Sequence, residues 1–77
     1  MLSLDKTHEN VPYRVVRLSL DTPLCERLYS LGLIPETEII KTLTAPGGDI
    51  SAYLIRGSRI ALRSEYARKI TVERISD

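Results

Sequence analysis

The sequence predicts a small, mainly β domain. Five short strands curl into a partly open barrel, with one short helix after the first strand and one helical turn before the last. Three observations predict it. Short runs rich in β-branched residues recur between clusters of turn residues. One helical pattern, beginning at Thr22, interrupts them. The third is size: a 77-residue chain is one domain. Such a chain buries only about 60% of its unfolded surface, and curling a small sheet into a barrel removes edges it is too small to cover otherwise.

Each element follows from its residues. Residues 1–11 are polar and mixed, and are expected to form an arm or a loosely paired strand within a single domain spanning 1–77. Tyr13–Ser19 is the first strand, β-branched at its centre. Thr22 is expected as N-cap of the helix, with Pro23 in the first position, where a missing N–H costs nothing. Leu24, Leu28 and Leu31 then share one face. Gly32 is expected in a left-handed conformation that stops the helix, and Pro35 pushes Ile34 into extended backbone. Thr37–Thr44 is the second strand, with Ile39 and Leu43 on one face and Ile40 on the other. Ala45-Pro-Gly-Gly-Asp49 is a turn. Ser51–Ile55 and Arg59–Arg63 form a hairpin across Arg56-Gly57-Ser58, with Gly57 supplying a positive φ. Ser64 caps a helical turn through Glu65–Arg68, and Ile70–Ile75 is the last strand. The expected core is Val15, Leu28, Leu31, Ile39, Leu43, Leu54, Ile60, Leu62, Ala67, Ile70 and Val72.

Composition excludes several classes. Hydrophobic content of 43% is that of a globular chain rather than a disordered one. No apolar run approaches the roughly 18 residues that span a bilayer, so no membrane insertion is expected. Met1-Leu-Ser-Leu-Asp-Lys6 has no apolar stretch of the signal-peptide kind, and a cytoplasmic location is expected. Cys25 is the only cysteine, so no internal disulfide forms. Formal net charge is +1, but between Arg56 and Arg74 six basic residues stand against two acidic ones. Those six are Arg56, Arg59, Arg63, Arg68, Lys69 and Arg74. The ordinary reading is a solvated barrel face; the sharper one is a docking face for an acidic partner, nucleic acid or lipid headgroups.

Chemistry is thin. His8 and Cys25 are the only soft metal ligands and lie on different elements, so neither a metal nor another cofactor is expected. Cys25 has no basic partner of the kind a nucleophile needs, and His8 reads as a surface residue. Glu36 and Glu38 share one strand edge but gather too few oxygens for a hard cation. Gly47-Gly48 lacks the Lys-Ser/Thr and helix of a phosphate loop and reads as a hairpin turn. A small barrel offers little cleft for a substrate, so no enzyme is expected.

Four segments in order carry a resemblance: Arg27-Leu-Tyr-Ser-Leu-Gly-Leu-Ile-Pro35, Ala45-Pro-Gly-Gly-Asp49, Gly57-Ser-Arg-Ile-Ala-Leu-Arg63 and Ala67-Arg-Lys-Ile-Thr-Val72. Together they resemble the ferrous iron transport protein A (FeoA) family over roughly Tyr13 to Val72. The resemblance implies an SH3-like small barrel and cytoplasmic work beside FeoB, the membrane GTP-binding ferrous iron transporter. It implies a regulatory module that docks on the GTP-binding part and biases one of its conformations. The surface expected to make that contact is Leu33 and Ile34, with Tyr29 and Tyr53 as anchors. Three positions depart from the family. Pro35 is followed by Glu36 instead of glycine, so the turn is expected to be rebuilt or of type I. Asp49 is followed by Ile50 instead of proline, and a glycine is missing near Asn10-Val11-Pro12.

Two alternatives stand beside this reading. A nucleic-acid-binding barrel would use the Arg56–Arg74 face; low net charge and the absence of a run of exposed aromatics count against nucleic acid as a partner. The same barrel also forms the C-terminal domain of metal-dependent repressors, so a stand-alone relative of that module is the other.

Overall fold

The β-branched and aromatic runs become six strands of one antiparallel sheet in a computed structural model, which describes residues 1–75. The strands are β1 (Leu2–Ser3), β2 (Pro12–Leu18), β3 (Glu38–Thr44), β4 (Ile50–Ile55), β5 (Ser58–Arg63) and β6 (Ile70–Arg74). Helix α1 spans Thr22–Ser30 and α2 spans Ser64–Ala67. The order across the sheet is β1-β6-β2-β3-β4-β5, every neighbouring pair antiparallel. The five expected strands are present within a residue or two, and the sixth is the two-residue β1. The end strands β1 and β5 are not hydrogen-bonded to each other, so the barrel has a seam. Helix α2 crosses it from β5 to β6 and packs against a 3-10 turn at Leu4–Lys6.

The first segment, residues 1–11, is tied to β6 at its start and to the central strand β3 further on. Leu2 and Ser3 pair with Val72 and Thr71. Leu4 is buried in the core, and the buried Thr7 hydroxyl donates to the Leu4 carbonyl at 2.8 Å. Lys41, buried on β3, donates its Nζ to the carbonyls of Asp5 (3.1 Å) and Thr7 (2.9 Å). The lysine amine thus serves as a strut between the sheet and the first segment. Satisfying backbone carbonyls is what lets a buried polar group remain inside.

The core differs from expectation at three leucines: Leu43, Leu31, and Leu54, which alternates with the inward Tyr53 and Ile55 and stays outside the core cluster. Leu43 is 62% exposed, because the β3–β4 register passes from Lys41↔Tyr53 to Leu43↔Ala52 and leaves Thr42 as an extra residue. A bulge of one residue flips everything beyond it to the other face of a strand. Leu31 is 46% exposed, since α1 ends at Ser30 and Leu31 is its C-cap at the rim. Leu54 and Ile60 are half-buried. Val15, Leu28, Ile39, Leu62, Ala67, Ile70 and Val72 are core as expected, joined by Leu4, Tyr13, Leu33, Tyr53 and Ile55. A second bulge, at Val16 opposite β6, bends β2 around the barrel.

Candidate partner-docking surface

Helix α1 sets the geometry of the exposed side. Asp21, not Thr22, is its N-cap: the carboxylate accepts from the Leu24 N–H at 3.2 Å, and Thr22 and Pro23 fill the first turn. At the other end Gly32 takes φ +100°, and two bonds close the helix. Gly32 N–H donates to the Tyr29 carbonyl (2.9 Å) and Leu33 N–H to the Leu28 carbonyl (2.9 Å). This is a Schellman stop, which brings the residue after glycine back onto the last turn. Leu33 therefore folds against Leu28 and is fully buried.

That stop decides the fate of the expected contact residues. Leu33 is core and so is Tyr53, 1% exposed and inward-facing on β4 between Ser51 and Ile55. Neither presents a side chain to a partner. Burial pushes the Tyr53 hydroxyl above its ordinary pKa; the Asp5 charge adds to this, and a Ser51 hydrogen bond opposes it. Ile34 is half-buried, and Tyr29 remains accessible at 44% exposure.

Turn chemistry follows the same logic. Glu36, expected to avoid a positive φ, takes φ +78°, in a turn where Thr37 N–H donates to the Ile34 carbonyl at 3.2 Å. Pro35 is the second residue of this turn and the left-handed Glu36 the third, as in a type II turn. Asn10, where the family's glycine is missing, takes φ +64°; its short side chain tolerates that region.

The six basic residues are all exposed and lie on different elements. Arg59 and Arg63 project outward from β5, with Arg56 in the turn at its start. Arg68 and Lys69 lie at the opening of β6, while Arg74 ends that strand, about 16 Å of extended chain away. Arg14, half-buried on β2, pairs with Glu73 at 3.0 Å.

A groove of about 340 Å³ lies between α1 and β5. Leu24 and Leu31 line it from the helix, Ile60 from the strand and Tyr66 from α2, while Arg27 and Arg63 stand in its walls. The leucine stripe of α1 thus covers the barrel with Leu28 and leaves its two ends in the groove. A helical stripe read from sequence does not reveal which of its members lies at a rim. Cys25 sits half-buried beside it on α1, its thiol 3.4 Å from the Leu20 carbonyl. Among the described residues no three His, Cys, Asp or Glu side chains gather into a metal site, and no helix is long and apolar enough to cross a membrane.

Comparison with known proteins adds identity to this geometry. Iron(II) transport protein A from Clostridium thermocellum superposes with a TM-score of 0.90 at 34% identity, over 96% of this chain and 46% of that one. The chain therefore spans about half the length of that relative. A FeoA protein from Chlorobium tepidum superposes at 0.93 with 23% identity, over 97% of this chain and 71% of that one. The manganese-activated repressor ScaR in its apo form shares the fold at 0.82 and 24% identity, over 96% of this chain and 35% of that one. No curated protein matches the chain. The fold is the SH3-like small barrel of the FeoA structures, and the FeoA domain matches residues 2–74, nearly the whole length and all six strands; the chain belongs to the FeoA family.

Proposed function

We propose that this domain serves ferrous iron uptake as a cytoplasmic accessory module that docks on the GTP-binding part of an FeoB-type membrane transporter. The observation that carries the reading is the family match across residues 2–74. The structural likeness to iron(II) transport protein A from Clostridium thermocellum supports it. The physical character of the molecule agrees. The groove along α1 is open to solvent rather than enclosed. An open groove of this kind suits contact with another protein better than enclosure of a small substrate. We assign the first contact to Tyr29 with the half-buried Ile34 beside the helix stop. Docking changes the transporter only through unequal affinity for two of its states.

The test is a calorimetric titration of the purified domain into the soluble GTP-binding part of such a transporter. It is run once with GDP and once with a non-hydrolysable GTP analogue. The expected result is a one-to-one complex whose affinity differs between the two nucleotides, weakened by Tyr29→Asp in a variant that melts like wild type. Absence of a complex with either nucleotide overturns the reading.

A further inference from the structure

Strand β5 ends the sheet, and its free side faces the groove along α1. The hairpin that opens it fixes which backbone groups are free. Arg56 and Gly57 both have positive φ (50° and 82°), the signature of a two-residue type I′ turn closed by the pair Ile55↔Ser58. Antiparallel ladders alternate bonded and non-bonded pairs. The bonded pairs are therefore Ile55↔Ser58, Tyr53↔Ile60 and Ser51↔Leu62, and the non-bonded ones Leu54↔Arg59, Ala52↔Ala61 and Ile50↔Arg63. The N–H and C=O of Arg59 and Ala61, and the N–H of Arg63, point away from β4. Among the described residues no backbone group bonds to them.

From this geometry we infer that the α1–β5 groove accepts an extended segment of a partner protein, rich in alternating apolar and acidic residues, as a strand added to β5. Side chains of a paired strand alternate faces in step with their neighbours. Those beside Ile60 and Leu62 enter the groove against Leu24, Leu31 and Tyr66, where an apolar group removes exposed hydrophobic surface from water. Those beside Arg59, Ala61 and Arg63 lie on the outer face. There they meet two guanidinium groups, with Arg27 on the helix wall and no acidic residue lining the groove. None of these three arginines enters an ion pair among the described residues. The same charges exclude the simplest rival: a second copy paired through its own β5 would set arginine against arginine across the new ladder. The inference rests on the docking reading above for its biological partner, but it concerns a different face: on a helical wheel Tyr29 lies well over 90° around α1 from the Leu24–Leu31 stripe.

The test uses the whole domain, isotope-labelled, and a capped nine-residue peptide of alternating glutamate and valine. Two control peptides carry lysine in place of glutamate, or N-methyl groups on alternate backbone nitrogens. The expected result is movement of the Arg59, Ala61 and Arg63 amide resonances and slowed hydrogen exchange at Ala61. N-methylation and the lysine peptide should each weaken binding at least about tenfold, the scale of losing a few backbone bonds or a complementary charge pair. Ala61→Pro removes an N–H that the barrel does not use, and should do the same at unchanged melting temperature. Tyr29→Asp should leave peptide binding intact. Equal binding of the N-methylated peptide, or resonance changes confined to other strands, overturns the inference. Capture by the transporter's GTP-binding part separates the two readings. Capture that survives both Ala61→Pro and Arg59→Glu/Arg63→Glu defeats strand addition as the docking mode and leaves docking standing. Peptide binding on β5 without any capture defeats docking and leaves the strand site standing.

Discussion

Gly32 and Glu36 stand four residues apart and meet the same backbone demand with different side chains. Both occupy the left-handed region, at φ +100° and +78°. Glycine enters it without strain, whereas a residue with a Cβ pays roughly 1–2 kcal/mol there. Gly32→Ala is therefore expected to destabilise the domain by about 1–2 kcal/mol. The added Cβ would stand 2.8 Å from Arg56 Cδ, on a flexible side chain that moves aside, so the backbone sets most of the cost. Glu36→Gly should act in the opposite direction. It relieves the strain but gives the unfolded chain more freedom, leaving a net gain of about 0.5–1 kcal/mol. Glu36 holds its place because its N–H donates to the Val15 carbonyl at 2.8 Å, and glycine keeps that bond. Urea titrations of both variants at matched slope check the pair. A midpoint that rises for Gly32→Ala, or falls for Glu36→Gly, contradicts the assigned conformations.

At the scale of elements, the lesson lies in what interrupts a period. The helix stop, the hairpin at Arg56-Gly57 and the strand order of the chain are local in origin, and turn residues announce them. The β3 bulge is not local: Thr42 is extra only relative to β4, and nothing in Ile39–Thr44 alone marks it. Strict alternation therefore places Leu43 in the core, and the bulge turns it out. Lys41 shares parity with the inward Ile39, and its amine is accommodated inside because the Asp5 and Thr7 carbonyls accept from it. Among candidate contact residues, Tyr29 stayed outside while Leu33 and Tyr53 went in. The Schellman stop folds Leu33 back, and the parity of β4 turns Tyr53 inward. Leu43→Thr tests the bulge directly. On the outward side of a strand it should change stability by no more than about 0.5 kcal/mol, with a β-branched residue well suited to the position. Ile39→Ala, two ladder positions before the bulge, should cost about 2–5 kcal/mol. Chemical denaturation of the two variants side by side distinguishes them; similar large losses would mean that Leu43 packs inward.

For the whole molecule, the first segment and the middle of the sheet meet around Tyr53. Its ring fills the barrel at 1% exposure opposite Lys41, whose amine holds the Asp5 and Thr7 carbonyls, and the Asp5 charge acts on its hydroxyl. The folded state therefore favours the neutral phenol. Burial raises its folded pKa above the unfolded value of about 10, with Asp5 reinforcing and Ser51 opposing. The sign follows from linkage. Below the unfolded pKa both states hold the proton and stability is unaffected. As pH rises through about 10 the unfolded chain ionises first, and stability falls until the folded phenol also titrates. Urea midpoints should accordingly stay level between about pH 7 and 9 and decline above about pH 10. Tyr53→Phe should flatten that alkaline decline while costing a little stability at neutral pH through the lost Ser51 hydrogen bond. The comparison of slopes between the two proteins, not the wild-type curve alone, isolates this residue. An alkaline limb equally steep in both proteins would mean that the phenol ionises as freely inside the barrel as out of it. The first segment, held by the Lys41 amine through the Asp5 and Thr7 carbonyls, would then not enclose the Tyr53 hydroxyl.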